Sequence, residues 1–173
     1  MRKIILFIAS SLDGFIARID GTIDWLFTGS DYGYAQFYDS IDTVLVGRKT
    51  FDQVLEFSKS PFESKKCFVF TRQTNLYNQN NQDVQFNHNI IETVKQLIKY
   101  PGKDIWLVGG SEIISVLLHA NLINEIILSI HPILLGSGIP LFSDNRKLSC
   151  LRFMNSKTFE SGLVQLHYEL RPK

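Results

Sequence analysis

Hydroxyl groups, arginines and paired glycines follow the apolar segments that the sequence predicts to be strands. Arg48 comes directly after "DTVLVG", Arg72 after "CFVFT", and Gly109-Gly110 after "DIWLV". The carboxyl ends of parallel strands meet at one edge of a sheet, where helices begin and their free N–H groups attract phosphate. Arginine adds a forked donor that suits a second phosphate. The placement therefore predicts a site for a phosphorylated nucleotide at this edge.

The same residues also have a purely structural interpretation. A glycine pair between a strand and a helix is more often a tight turn than a phosphate-binding turn, and "GGSEII" matches neither G-x-G-x-x-G nor the P-loop pattern. A single arginine after a strand is usually a solvated surface charge. Spacing alone leaves both interpretations open.

Alternating strand and helix patterns indicate how these residues are positioned. Apolar strand segments lie at 3–9, 42–47, 66–71, 105–109 and 125–135, and helical patterns at 31–41, 48–57, 90–100 and 111–120. A polar Asn/Gln-rich loop over 75–89 contains the short strand segment "DVQF". Two final strands near 148–159 and 163–170 form a hairpin around Ser161-Gly162. We predict one α/β domain over residues 1–173, with a mixed, mainly parallel twisted sheet flanked by helices on both faces and an antiparallel C-terminal hairpin.

Composition excludes several classes of function. The 173 residues carry a formal net charge of +1, so no overall field favours nucleic acid or an acidic membrane. No segment approaches the roughly 18 apolar residues that cross a membrane. Cys67 and Cys150 are far apart and, like the scattered histidines, predict no metal site or disulfide, so we interpret both cysteines as buried thiols. The short apolar run after "MRK" favours a first strand over a signal peptide, and we expect a cytoplasmic protein.

Five segments, in order, resemble blocks of the dihydrofolate reductase superfamily: "IASSLDGFIA", "DTVLVGRKTF", "CFVFTR", "DIWLVGGSEII" and "LSIHPILLGSGIPLF". The chain is most similar to the branch that shares a fold with the C-terminal reductase domain of the bifunctional riboflavin biosynthesis protein. The resemblance spans nearly the whole chain. It implies an NADPH-binding enzyme that reduces a heterocycle or a sugar-derived carbonyl or imine.

The resemblance also implies which residues contact the cofactor. Those matching the nicotinamide contacts are Ala9 and Ile16, and those matching the grip on the adenosine 2′-phosphate are Thr71 and Arg72. Two turns match the sites of the remaining phosphates and the pyrophosphate: Gly47, Arg48, Lys49 and Thr50, and Gly109, Gly110, Ser111 and Glu112. On this interpretation, the paired glycines leave room for the dinucleotide.

Asp31 is the candidate catalytic carboxylate. It stands sixteen residues before Gly47, the spacing of the substrate-binding carboxylate in folate reductases, although an aspartate before "YGYAQFY" is also an ordinary helix N-cap. The candidate substrate contacts are Ser10, Trp25, Asp31 and Ser129. A phosphoribosyl group would need donors such as Ser10, Ser11 or the backbone around Gly136 and Gly138.

Two departures from the folate reductases bear on the substrate. Trp25 follows Asp24 where those enzymes usually have proline, and Lys65 stands roughly where an arginine clamps the folate tail. Lysine is a poorer bidentate partner for a carboxylate. We therefore rank a riboflavin-type aminopyrimidine, or another small carbonyl compound, above dihydrofolate.

The leading hypothesis is an NADPH-dependent reductase that transfers hydride to a C=N or C=O group of a small heterocycle. The alternatives are a true dihydrofolate reductase and a non-catalytic NADPH-binding module, since a fold can be kept after its catalytic activity is lost.

The apolar segment "EIILSIHPILL" is expected near a sheet edge, where a second copy of the chain would cover it. We therefore expect a homodimer.

Overall fold

The computed structural model describes residues 1–73, 83–143 and 148–171. The first half of the chain forms β1 (Ile4–Ser11), β2 (Phe15–Ala17), α1 (Tyr34–Ser40), β3 (Ile41–Gly47), α2 (Arg48–Phe57), β4 (Lys66–Phe70) and β5 (Val84–Asn87). The second half forms α3 (Ile90–Leu97), β6 (Asp104–Gly109), α4 (Ser111–His119), β7 (Glu125–His131), β8 (Ile139–Pro140), β9 (Leu151–Thr158) and β10 (Val164–Leu170).

Eight of these strands form one twisted sheet in the order β5-β4-β3-β6-β1-β7-β10-β9. The pairs from β5 to β7 are parallel, and β10 pairs antiparallel with both β7 and β9. The strands β2 and β8 form a small antiparallel ribbon beside the sheet. The predicted mixed, mainly parallel sheet with an antiparallel C-terminal hairpin is confirmed.

Helices cover both faces of the sheet because its central strands are apolar on both sides. On one face, Phe37 of α1 and Phe51 of α2 pack against Val44 and Val46 of β3. On the other, Val94 of α3 and the apolar residues of α4 pack against the opposite side of β1, β3 and β6; these residues include Ile113, Ile114, Leu117, Ile4, Leu45 and Leu107.

The direction of the crossovers reverses between β3 and β6. Helix α2 connects β3 outward to β4 on one face, whereas α4 connects β6 to β7 in the opposite direction on the other face. Open α/β sheets bind ligands outside the carboxyl ends of the strands at such a reversal. The fold therefore places its crevice between the ends of β3 and β6.

Several sequence-based boundaries are wrong. Strand β7 ends at His131 rather than at residue 135, because Pro132 has no N–H to continue the ladder. It also lies inside the sheet, between β1 and β10, and the edge strands are β5 and β9. Helix α3 ends at Leu97, and the ribbon of β2 and β8 was not predicted. The predicted loop over 75–89 lies partly outside the described residues.

Two predictions about single side chains are also wrong. Cys150 is exposed rather than buried, whereas Cys67 is buried as expected, and burial raises the pKa of the Cys67 thiol to about 12. Leu55, which the helical pattern of α2 places inward, is exposed. Within the described ranges, no helix is long and apolar enough to span a membrane.

Candidate active site

The turns that end β3 and β6 touch each other at the crevice. A Cβ atom on Gly47 would lie 3.1 Å from Cγ2 of Ile113 and 3.5 Å from the carbonyl oxygen of Gly109. Thr50, one turn into α2, lies beside the same glycine pair, because its Oγ1 would be 3.4 Å from a Cβ on Gly110. The structure therefore brings together the two segments that sequence analysis assigned to cofactor phosphates.

The glycine pair is required by the backbone itself. Gly109 has φ +131° and Gly110 has φ +76°, both in the region that L side chains rarely adopt. A Cβ on Gly109 would also lie 3.1 Å from Cδ1 of Ile8. The tight-turn interpretation is therefore sufficient for these glycines, and their role in leaving room for a dinucleotide stays a prediction.

Helices α2 and α4 begin in this crevice without side-chain caps. Their N-cap residues are Gly47 and Gly110, which have no side chain to accept a hydrogen bond from the first turn. By contrast, Asn89 caps α3 by accepting a hydrogen bond from the backbone N–H of Glu92. Uncapped helix N-termini present N–H donors and the positive end of the helix dipole. Both starts therefore fit anionic groups such as phosphates.

Arg48 and Arg72 differ in how far their N–H donors are available to a ligand. The Nε of Arg48 donates to Oδ1 of Asp52 at 2.7 Å, an i,i+4 pair along α2. The Arg72 side chain is 96% exposed, and its Nη2 is 3.8 Å from Oε2 of Glu112 in the first turn of α4. Such an exposed pair contributes little to stability. Arg72 thus stands over the start of α4 with most of its donors open to a ligand.

The remaining cofactor candidates lie around these turns. Lys49 is exposed, and Thr71 is buried at the end of β4, where its Oγ1 accepts from the Gln73 amide at 3.1 Å. The Ser111 hydroxyl donates to the carbonyl of Pro140 at 2.7 Å and so ties α4 to β8. Ile16 packs against the core formed by α3 and α4. These contacts give Ser111 and Ile16 structural roles, and their cofactor contacts stay predictions.

The predicted substrate contacts do not all share one face of the sheet. Ala9 lies beside Ser129 of β7 in register, on the face that α1 covers. Ser10 points to the opposite face, because side chains alternate along a strand, and it is only 2% exposed. The structure therefore groups Ser129 with Ala9 and separates Ser10 from both.

Asp31 caps the helix that follows it. Its Oδ1 accepts a hydrogen bond from the backbone N–H of Ala35 at 2.9 Å. Because the N-cap residue of α1 is Gly33, Asp31 caps the first turn from two residues earlier and is not the N-cap residue that the sequence suggested. The side chain is exposed, and the described residues provide no partner for its second oxygen. One carboxylate oxygen is therefore open, so capping and substrate binding are compatible, and the catalytic role stays a prediction.

The segment after Asp31 is held by the hairpin of β9 and β10. Tyr32 has φ +50°, an uncommon value for a bulky residue. Its hydroxyl is 3.2 Å from Oγ of Ser161, and its ring meets the ring of Phe159 edge-on at 5.0 Å. The Nε2 of Gln165 donates to the Tyr32 carbonyl at 3.2 Å. Sequence analysis missed Gln165; the available signal was an inward-facing polar residue in the apolar strand "LVQLHY".

Trp25 and His131 form a buried pair of side chains at the end of β7. Their rings meet edge-to-face at 5.2 Å, and the Phe27 amide donates to Nε2 of His131 at 3.2 Å. Burial lowers the pKa of His131, although the backbone carbonyls of Ser129 and Ser10 partly oppose this effect. Trp25 Nε1 and His131 Nδ1 have no hydrogen-bond partner within the described ranges. Trp25 is thus packed inside the loop, and its contact with substrate stays a prediction.

The loop that follows β7 and contains Gly136 and Gly138 is held in place by hydrogen bonds to Asp13. Its carboxylate accepts from the backbone amides of Leu135 at 3.1 Å and Gly136 at 2.7 Å. The Ser11 hydroxyl and these amides lower the pKa of Asp13. A Cβ on Gly138 would clash with the carbonyl oxygen of Ala17, so this position needs glycine.

These contacts already use some of the expected phosphate donors of the substrate side, and the others stay predictions. The Gly136 amide is already bound to Asp13, and the Ser11 Oγ accepts from the Phe15 amide at 2.9 Å. Ser10 is buried on the other face of the sheet. The bond between Asp13 and the Gly136 amide could not be expected from the sequence, because it joins residues far apart in the chain. No group of three or more metal-ligating side chains occurs in the part of the chain that the structure describes.

Comparisons with known proteins agree with this geometry. The model of the family described as the RibD C-terminal domain matches residues 2–165. "Uncharacterized protein YyaP" of Bacillus subtilis strain 168 is 42% identical over 179 residues, which cover 96% of this chain and 94% of that protein. A crystal structure of a protein from Shewanella sp. PV-4, provisionally named for riboflavin biosynthesis, has a TM-score of 0.86 at 28% identity and covers 99% of this chain and 100% of its own.

More distant solved structures share the fold. A diaminohydroxyphosphoribosylaminopyrimidine deaminase/5-amino-6-(5-phosphoribosylamino)uracil reductase from Thermotoga maritima has a TM-score of 0.74 at 18% identity, over 98% of this chain and 57% of that longer protein. Dihydrofolate reductase from Enterococcus faecalis, complexed with NADP(H), has a TM-score of 0.73 at 14% identity, over 98% of this chain and 97% of its own.

Proposed function

Because the chain belongs to the RibD C-terminal domain family, we propose that it is an NADPH-dependent reductase that transfers hydride to a C=N or C=O group of a small heterocycle. The main support is the contact between the turns at Gly47 and Gly109, which brings two uncapped helix starts to one crevice. Family membership supports reductase chemistry, and two uncapped helix starts fit a ligand with several phosphates.

The residues around the crevice suit a phosphorylated nicotinamide cofactor. NADPH would supply the hydride, and the chain would bind and orient both reactants. Arg72 would hold the 2′-phosphate, since its donors are open, and the amides that begin α2 and α4 would hold the pyrophosphate. Ala9 is a small residue near the end of β1, where a flat ring could approach the sheet.

On the substrate side, Asp31 would accept hydrogen bonds from an amino-pyrimidine edge through its open oxygen. We rank an aminopyrimidine of the riboflavin type above dihydrofolate. Lys65, the candidate partner for a folate tail, already donates to the Ile41 carbonyl at 2.8 Å and lies 4.5 Å above the Tyr38 ring. A folate carboxylate would have to compete with these contacts.

We further propose that the protein is a homodimer, paired through β9 rather than through β7. All residues of β9 are exposed, and its outer edge has no strand beside it within the described ranges. Leu151, Phe153 and Met154 add exposed apolar surface to this edge. A second copy, related by a two-fold axis, would cover it.

Oxidation of NADPH, followed by absorbance, tests the proposed activity. The 5-amino-6-(5-phosphoribosylamino)uracil and dihydrofolate should be tested in parallel with the same enzyme. We expect turnover with the ribosylaminouracil phosphate. Efficient turnover of dihydrofolate would reverse the ranking of substrates. Tight NADPH binding without oxidation by any carbonyl or imine compound would indicate a binding module instead.

A further inference from the structure

A glutamine of β10 and a serine of β7 form a buried polar pair on the face that carries Ala9. Gln165 is 7% exposed and Ser129 is 6% exposed, and they lie opposite each other in the antiparallel ladder. The Nε2 of Gln165 donates to the Ser129 Oγ at 3.1 Å. Buried polar side chains are costly unless their hydrogen-bonding groups are satisfied. The groups that this pair leaves unsatisfied therefore show what it could bind.

The orientation of the Gln165 amide is fixed by the protein. A backbone carbonyl only accepts hydrogen bonds, so the amide atom facing the Tyr32 carbonyl must be the nitrogen. The two hydrogens of Nε2 are then used, one on Tyr32 and one on Ser129. Only the acceptor Oε1 of Gln165 remains.

Ser129 is left with the opposite capacity. Its Oγ accepts from Gln165, so its hydroxyl hydrogen is available for donation, and the described residues provide no acceptor for it. Within the same ranges, the buried side-chain N and O atoms without a partner are Trp25 Nε1 and His131 Nδ1. Gln165 Oε1 also lacks a partner there, so it must reach accessible space. One donor and one acceptor thus stand side by side.

The pair connects the two halves of the candidate active site. Ser129 lies beside Ala9 in register, and Gln165 holds the carbonyl of Tyr32, the residue that follows Asp31. A substrate ring that reaches both Ala9 and Asp31 would pass this pair. The pair carries no formal charge, which suits a neutral group of the substrate.

We propose that Ser129 and Gln165 recognise a lactam edge of the substrate heterocycle, that is, a ring N–H beside a ring C=O. The Ser129 hydroxyl donates to the ring oxygen, and Gln165 Oε1 accepts from the ring N–H. This inference rests on the proposed function and narrows its substrate class to cyclic amides, such as a uracil-type ring, rather than simple carbonyl compounds.

Equilibrium binding in the presence of NADP⁺ tests this recognition without any reduction. The probes are 5-amino-6-(5-phosphoribosylamino)uracil and its N3-methyl derivative, which keeps N1–H but lacks N3–H; the proposed lactam edge is N3–H with a neighbouring ring carbonyl. Ser129→Ala keeps the bond between Gln165 and Tyr32, but it removes both the hydroxyl donor and the oxygen that accepts from Gln165. It should weaken binding of the first probe roughly five- to tenfold. Gln165→Met should weaken it by about tenfold or more.

The methylated probe separates recognition from general damage to the site. It should bind the wild type at least roughly tenfold more weakly than the parent compound, and Gln165→Met should not weaken it further. Matched controls are Ser115→Ala, which removes a hydroxyl bonded to the Ser143 carbonyl, and Gln53→Met, which removes an amide bonded to the Gly21 carbonyl. Both should bind the parent compound as the wild type does.

Equal binding of the two probes by the wild type, wild-type affinity in Ser129→Ala, or no binding of the parent compound would overturn the proposal. Thermal denaturation of each variant shows whether a loss of binding reflects a loss of folding. If the expected binding pattern is found without NADPH oxidation, lactam recognition is supported and the reductase is refuted. If the wild type oxidises NADPH but Ser129→Ala binds the parent compound with wild-type affinity, the reductase is supported and lactam recognition is refuted.

Discussion

Gly47 and Gly109 lie on neighbouring strands, so close that a Cβ atom on Gly47 would stand 3.5 Å from the Gly109 carbonyl oxygen. This contact unites the starts of α2 and α4, which leave the sheet on opposite faces. A short distance between backbones at this point gives a ligand access to the N–H groups of both helices. The proposed cofactor site follows from this relationship.

A side chain at Gly110 should lower the folding stability of the protein. Gly110→Ala places a Cβ on a backbone with φ +76°, which costs about 1–2 kcal/mol of folding free energy. Gly29→Ala is the matched control, because Gly29 has an ordinary φ and open space around its Cβ position. Urea denaturation should show the loss only in Gly110→Ala. Equal stability of the two variants would mean that the turn relaxes freely.

Asp31→Asn should separate catalysis from helix capping. Asparagine caps helices about as well as aspartate, so the bond to the Ala35 amide is retained and folding should be unchanged. Loss of the carboxylate charge should lower turnover by about a hundredfold or more. NADPH affinity should stay at the wild-type value. Full activity in this variant, measured by NADPH oxidation, would leave Asp31 with capping alone.

Glu125 should make stability depend on acidic pH. Burial alone would raise the pKa of its carboxyl, but hydrogen bonds and charge from Lys3 and His167 outweigh that effect and lower the pKa below the ordinary 4.5. A lowered pKa in the folded state stabilises the protein above the pKa of the unfolded chain, and this stability is lost as the pH falls through the folded value.

Urea denaturation from about pH 7 to about pH 3 measures this contribution. Glu125→Gln should show a shallower loss of unfolding free energy below pH 4.5 than the wild type, because glutamine takes up no proton there. Glu56→Gln, at an exposed position of α2, is the control and should behave as the wild type. Identical slopes for all three proteins would remove Glu125 from the account of acid stability.

Sequence reasoning predicted the parts of the molecule that depend on local patterns. Helix α2 was predicted with its observed ends, and the turns at Gly47 and Gly109 were placed at one edge because apolar strands alternate with helices. The resemblance to the dihydrofolate reductase superfamily then matched the family and the fold.

Contacts between distant residues could not be predicted in this way. No local pattern shows that Asp13 binds the Gly136 amide or that Gln165 binds the Tyr32 carbonyl, because each bond depends on how loops pack across the sheet. The order of the strands in the sheet could not be derived from the sequence either. A continuous apolar segment such as β7 is typical of a buried strand, yet it was assigned to an edge, and the exposed edge is the more polar β9.

The oligomeric state should depend on β9. We expect light scattering at micromolar concentration to give the mass of a dimer for the wild type. Phe153→Lys places a charge on the exposed edge strand and should shift the mass towards a monomer. Leu134→Lys is the control, because it changes an exposed leucine outside β9. A monomer mass for the wild type would refute the dimer.

The account depends most directly on a preference for NADPH over NADH. Only NADPH carries the 2′-phosphate that we propose Arg72 binds, beside Glu112 in the first turn of α4. A charged hydrogen bond contributes about 1.5–3 kcal/mol, so Arg72→Ala should weaken NADPH roughly tenfold or more and leave NADH unchanged. Arg171→Ala, at an exposed position beyond β10, is the matched control and should bind both cofactors as the wild type does.

Fluorescence titration of the wild-type protein with each cofactor is therefore the decisive measurement. We predict that NADPH binds at least roughly tenfold more tightly than NADH, in line with the loss of one charged contact. Equal affinity for the two cofactors would contradict the assignment of the crevice between β3 and β6 as an NADPH site.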